Sequence, residues 1–92
     1  MKKRNRLELV LEMLEVINEE GEINPTKLSL KVNLSYDRVK RILNELAEKG
    51  LLMTVPSDER KGSVVIALTP KGANLLRELR RLKSLLEDYG LL

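Results

Sequence analysis

The sequence contains no cysteine, no histidine, no tryptophan and no phenylalanine, and its only aromatic residues are Tyr36 and Tyr89. Without cysteine there is no disulfide and no thiolate nucleophile; without histidine there is no imidazole for proton transfer, and the usual zinc ligands are missing. Two separated tyrosines are too few to build a stacking platform for single-stranded nucleic acid. No glycine-rich phosphate loop or nucleophile motif occurs. The acids Glu12, Glu45 and Glu48 fall where solvated helix faces expect them. These absences argue against an enzyme and against a bound metal or cofactor. No apolar run approaches the ~18 residues of a membrane helix, and the opening MKKRNR leads into an amphipathic pattern broken by glutamates. No membrane partner and a soluble, cytoplasmic protein are therefore expected.

What is present is charge. Of 92 residues 34% are charged, with 17 basic and 14 acidic side chains, a net charge of +3 and a pI near 9.3. That balance permits a polyanionic partner without requiring one, because clustering matters more than the sum. It is also compatible with a thermophilic source. The length suits one modest domain, and a core this small is often completed by a second subunit, so a dimer is expected.

Between Leu7 and Ile17 the apolar residues Leu7, Val10, Leu11, Leu14 and Ile17 recur at helical spacing, and Gly21 supplies a stop. Ahead of them Lys2, Lys3, Arg4 and Arg6 could lie on nucleic-acid phosphates or simply keep a frayed terminus soluble, and the second reading is the one expected. Asn24 and Pro25 signal a second helix: asparagine caps a free N–H, and proline at the first helical position sacrifices no hydrogen bond. Leu28 and Val32 face inward; Asn33 suits a left-handed turn, Leu34 fills the corner and Ser35 caps a third helix from Tyr36 to Lys49. Two short helices joined by so few residues form a helix-turn-helix.

The third helix sets Val39, Ile42, Leu43 and Leu46 on one face and Asp37, Lys40, Arg41 and Asn44 on the other. Its charges run against the macrodipole, with Arg38, Lys40 and Arg41 early and Glu45 and Glu48 late. That order makes sense if the basic half enters a polyanionic groove. The alternative is an ordinary solvated face laced by the i,i+4 pairs Asp37–Arg41, Arg41–Glu45 and Glu45–Lys49. After Gly50, residues 51–55 and 63–68 read as strands around the turn PSDERKG. Arg60 and Lys61 at its tip are candidates for a phosphate or a minor groove, although Asp58 and Glu59 cancel their charge.

Thr69 and Pro70 open a last helix running to about Tyr89. Leu75, Leu79, Leu82, Leu86 and Tyr89 alternate in steps of four and three, the seam of a coiled coil, widened by Leu76 and Leu85. Either the stripe packs on its own domain or it pairs with the same helix of a second chain. A helix of ~20 residues spans ~30 Å, long for so small a domain to cover, which favours a dimer interface. The expected fold is mainly α with a small β-hairpin: a winged helix-turn-helix with a long C-terminal helix. Residues 1–69 would form the DNA-binding domain and 70–92 the dimerisation helix.

The segment NLSYDRVKRILNELAEKGLL, followed by a hairpin and LTPKGANLL, resembles small archaeal winged-helix DNA-binding proteins that dimerise through a C-terminal coiled-coil helix. AEKGLL at 47–52 and SDERKGSVVIALTPKG at 57–72 are similar to the multiple-antibiotic-resistance regulator (MarR) family. That resemblance implies a wing arginine, Arg60, reaching the minor groove with Asp58 as its orienting partner. The longer chains of that family add helices for dimerisation and a ligand pocket, so a small-molecule effector is not expected here. Both resemblances imply a homodimer on double-stranded DNA.

The leading functional expectation is a sequence-specific or semi-specific double-stranded DNA-binding dimer acting as a transcriptional regulator, located in the cytoplasm on the nucleoid. Lys40, Arg41 and Asn44 would read base edges, since Arg or Lys donates to guanine and Asn pairs with adenine. Ser35, Tyr36 and Arg38 would hold phosphates, with Lys27 and Lys31 as weaker phosphate candidates. Alternatives are an architectural protein that coats DNA with little sequence choice, and a winged helix used only for protein contacts.

Overall fold

The computed structural model describes residues 4–58 and 62–92. Four helices and two strands follow one another as α1 (Arg6–Glu20), α2 (Pro25–Val32), α3 (Tyr36–Glu48), β1 (Leu52–Pro56), β2 (Val64–Leu68) and α4 (Pro70–Asp88). Each helix begins on a side-chain cap. Asn5, Asn24, Ser35 and Thr69 accept from the backbone N–H of Glu8, Lys27, Arg38 and Gly72, and proline follows the cap in α2 and α4. Every cap therefore occupies one of the N–H groups that a helix start leaves unpaired. Asn33 ends α2 at φ 56°, the left-handed conformation that lets the chain turn within a few residues into α3.

The core is entirely aliphatic apart from Met13. Leu9, Met13, Leu14 and Ile17 of α1 pack with Leu28 and Val32 of α2, with Val39, Ile42, Leu43 and Leu46 of α3, and with Leu51, Leu52, Ile66 and Leu76. Of the face that the spacing of α1 predicts, Leu11, Leu14 and Ile17 are buried and Val10 packs half-buried, but the buried face is shifted at its start. Leu9 and Met13 are buried, whereas Leu7 is 56% exposed. Because α1 carries apolar residues on most of its circumference, spacing allows two rotations of the helix, and the packing partners select one. Ser29, the buried polar residue, donates to the carbonyl of Thr26 at 2.7 Å.

The hairpin pairs Leu52 with Leu68 through Pro56 with Val64 in an antiparallel ladder, which Ser57 N–H extends by donating to the Ser63 carbonyl. Ile23 adds a single residue on the other edge of β2, exchanging both backbone hydrogen bonds with Ile66 at 3.0 and 2.7 Å. Periodicity cannot reveal a strand one residue long.

The stretches AEKGLL and LTPKG meet in space. Thr69 Oγ1 donates to the Gly50 carbonyl at 2.6 Å, Lys71 Nζ donates to the Lys49 carbonyl at 3.0 Å, and Gly72 lies directly on the Leu51 backbone. A Cβ on Gly72 would stand 2.0 Å from the Leu51 carbonyl oxygen. The end of α3 and the start of α4 are thereby clasped together. Beyond this clasp Leu76 enters the core, and Leu75 and Leu79 pack half-buried against it. Further along, Leu82, Leu85 and Tyr89 are exposed and Leu86 is half-buried.

Candidate nucleic-acid interface

The helix α3 buries Val39, Ile42, Leu43 and Leu46 and turns Tyr36, Asp37, Arg38, Lys40, Arg41 and Asn44 to solvent. The amphipathic spacing makes this outcome unavoidable once the apolar face is anchored. The three candidate base readers, Lys40, Arg41 and Asn44, occupy adjacent turns of one surface. At the helix start, Ser35 Oγ accepts from Arg38 N–H at 3.3 Å, which leaves its own hydroxyl proton for another acceptor. Tyr36 and Lys40 are one turn apart and associate. The ammonium is 3.5 Å from the phenol oxygen and 5.7 Å from the ring centroid, within cation–π range. Tyr36 therefore helps to place a candidate base reader.

Among the described residues, none of the pairs Asp37–Arg41, Arg41–Glu45 or Glu45–Lys49 forms an ion pair, and Arg38, Lys40 and Arg41 meet no carboxylate. The solvated-face alternative is corrected on this point. The carboxylate of Glu45 pairs with Arg6 of α1 instead. The α3 cations thus remain available to an external anion.

The other basic residues are differently placed. Lys27 and Lys31 both contact Glu20 Oε1, at 3.2 and 3.1 Å. Hydrogen bonds from Lys31 and Lys27, aided by their charge, hold the Glu20 carboxyl below its ordinary range. Their positive charge is thus partly compensated within the protein. Arg4 pairs with Glu12 and donates to the Val32 carbonyl at 2.7 Å, closing the C-terminal end of α2. It is a structural residue. Lys2, Lys3 and the wing candidates Arg60 and Lys61 lie outside the described residues. No helix among the described residues is long and apolar enough to cross a membrane.

Three helices around a tight left-handed turn, with a two-stranded hairpin after the third, define a winged helix-turn-helix protein. A winged helix-turn-helix family model matches residues 3–87, and the chain belongs to that family. No curated protein matches the sequence. Among solved structures, the chain is similar to a mutant of MarR from E. coli complexed with operator DNA, at 25% identity and a TM-score of 0.75. That match covers 79% of this chain and 52% of the other. The transcriptional regulator BldR from Sulfolobus solfataricus has 22% identity and a TM-score of 0.78, with 88% and 58% covered. YusO from Bacillus subtilis shares the fold at 16% identity and a TM-score of 0.80, again with 88% and 58% covered. The chain spans little more than half the length of these relatives.

Proposed function

We propose that this protein is a double-stranded DNA-binding transcription regulator that acts as a homodimer. The observation that carries the reading is the exposed strip Arg38, Lys40, Arg41 and Asn44, whose cations have no carboxylate partner among the described residues. A helix with one face locked in the core and the other offering unpaired cations and an amide is built to enter a major groove. Lys40, Arg41 and Asn44 read base edges, and Ser35, Tyr36 and Arg38 hold the flanking phosphates. Lys27 and Lys31 contribute less, because Glu20 already binds both. The likeness to a MarR structure solved on operator DNA supports the same mode of action. The wing role of Arg60 and Lys61 rests on sequence alone. The exposed Leu82, Leu85 and Tyr89 support a dimer through the second half of α4. This reading assigns a binding module with no catalytic role, cofactor or small-molecule effector.

Selection from a random duplex library at two salt concentrations tests it. An enriched motif with salt-sensitive affinity is the expected result. Salt-sensitive binding without a motif would point to a coating role, and no duplex binding would overturn the proposal. Replacing Lys40 and Arg41 with Ala should weaken binding to the selected site by about 1–3 kcal/mol for each base-edge interaction removed. A winged helix devoted to protein contacts would show no such change.

A further inference from the structure

A second basic feature lies beside the recognition surface. Where the start of α1 meets the flank of α3, Arg6, Arg38, Arg41 and Glu45 border a shallow cleft floored by Leu9 and Ile42. Residues 38, 41 and 45 form a row along α3 at steps of three and four, so they share one side of the helix. Arg6 comes from α1, 39 residues before Glu45 in the chain, and is held by an ion pair with that carboxylate. Three guanidinium groups and one carboxylate therefore line the cleft, and the carboxylate pairs with Arg6, so Arg38 and Arg41 border the cleft without a carboxylate partner among the described residues.

The Arg6–Glu45 contact uses Nη2 alone. A guanidinium has five N–H donors, so the remaining edge of Arg6 is free to meet an anion while Glu45 holds the group in place. The N-terminus of the 15-residue helix α1 adds partial positive charge at the same point. Arg4, by contrast, is paired with Glu12, and Lys27 and Lys31 share the single carboxylate of Glu20.

We propose that this cleft binds one phosphodiester of the DNA backbone, with Arg6 as a donor from outside the helix-turn-helix, Arg38 and Arg41 as donors from α3, and Glu45 as the residue that positions Arg6. The inference rests on the DNA-binding reading and extends it to α1. With α3 in the major groove, its 38–41–45 flank faces one phosphate wall, and α1 extends that flank. Arg41 then lies at the boundary between base edge and phosphate. Arg6 fixes the depth and tilt of α3 without reading sequence.

Salt titration of duplex affinity separates this inference from the reading beneath it. Arg6→Ala should weaken binding about tenfold and uniformly across sequences, and should lower the slope of log affinity against log salt by about 1. Arg6→Lys retains the charge but loses the planar fork, so it should keep the slope and lose part of the affinity. Replacing the single contacted phosphate by a neutral methylphosphonate should weaken the wild type more than it weakens Arg6→Ala, which keeps only the Arg38 and Arg41 donors. Thermal melting of each variant serves as the control for folding. An Arg6→Ala variant that melts normally and keeps both affinity and slope would overturn the cleft while leaving the DNA reading intact. Wild-type protein that binds no duplex would remove the reading itself.

Discussion

At the scale of single residues, the molecule distinguishes cations that hold the fold from cations left for a partner. Arg4, Lys27 and Lys31 are committed to Glu12 and Glu20, whereas Arg38, Lys40 and Arg41 face solvent without a carboxylate among the described residues. Glu20 is the clearest titratable consequence. Its carboxyl is held below the ordinary range by Lys31 and Lys27, so it contributes stability above its unfolded value and loses it as pH falls through the folded one. Glu20→Gln should therefore narrow the difference in melting temperature between neutral and acidic solution, because the variant lacks the group that titrates. An identical pH profile in the variant would show that the two lysines give Glu20 no net stabilising role. Gly72 provides a steric counterpart. Because a Cβ there would overlap the Leu51 carbonyl, Gly72→Ala should cost about 1–3 kcal/mol or more in urea unfolding, the scale of overpacking. Glycine is required here for close approach, not for a positive φ.

At the scale of elements, α3 and α4 are mechanically joined. Thr69, Lys71 and Gly72 all act on residues 49–51, so the helix proposed to enter DNA and the helix proposed to meet a second chain are joined through one set of contacts. The caps at Asn24, Ser35 and Thr69 are legible along the chain, as are the starts of α2, α3 and α4, because each depends on chemistry within four residues. The rotation of α1 is not, since apolar residues surround most of it and only its neighbours could choose Leu9 and Met13 over Leu7. The Ile23–Ile66 bridge escapes for a related reason: a strand of one residue has no period.

At the scale of the whole molecule, the apolar stripe of α4 divides in two. Leu75, Leu76 and Leu79 are drawn into the chain's own core, while Leu82, Leu85 and Tyr89 extend beyond it, exposed by 46%, 51% and 73%. The proposed dimer, formed by the outer half, would cover these residues, which face water on an otherwise charged helix. Sedimentation equilibrium should show a dimer that Leu82→Glu together with Leu85→Glu converts to a folded monomer. A monomeric wild type, or a dimer indifferent to both changes, would remove the dimer from the proposal. The monomeric variant should also bind a two-half-site duplex more weakly, because the second half-site loses the advantage of linkage.

The sequence by itself determined the order of elements, the starts of α2, α3 and α4 and the basic face of α3, because capping, proline placement and a period of 3.6 are local properties of the chain. Only the tertiary structure decided which cations have partners. Glu20 ends α1, whereas Lys27 and Lys31 belong to α2, and Glu45 of α3 is joined to Arg6 of α1, 39 residues away along the chain. Ion pairs between separate elements depend on how helices pack, so their residues carry no spacing that a reading along the chain could detect. Folding thus leaves Arg38, Lys40 and Arg41 without a carboxylate among the described residues and brings Arg6 beside Arg38 and Arg41.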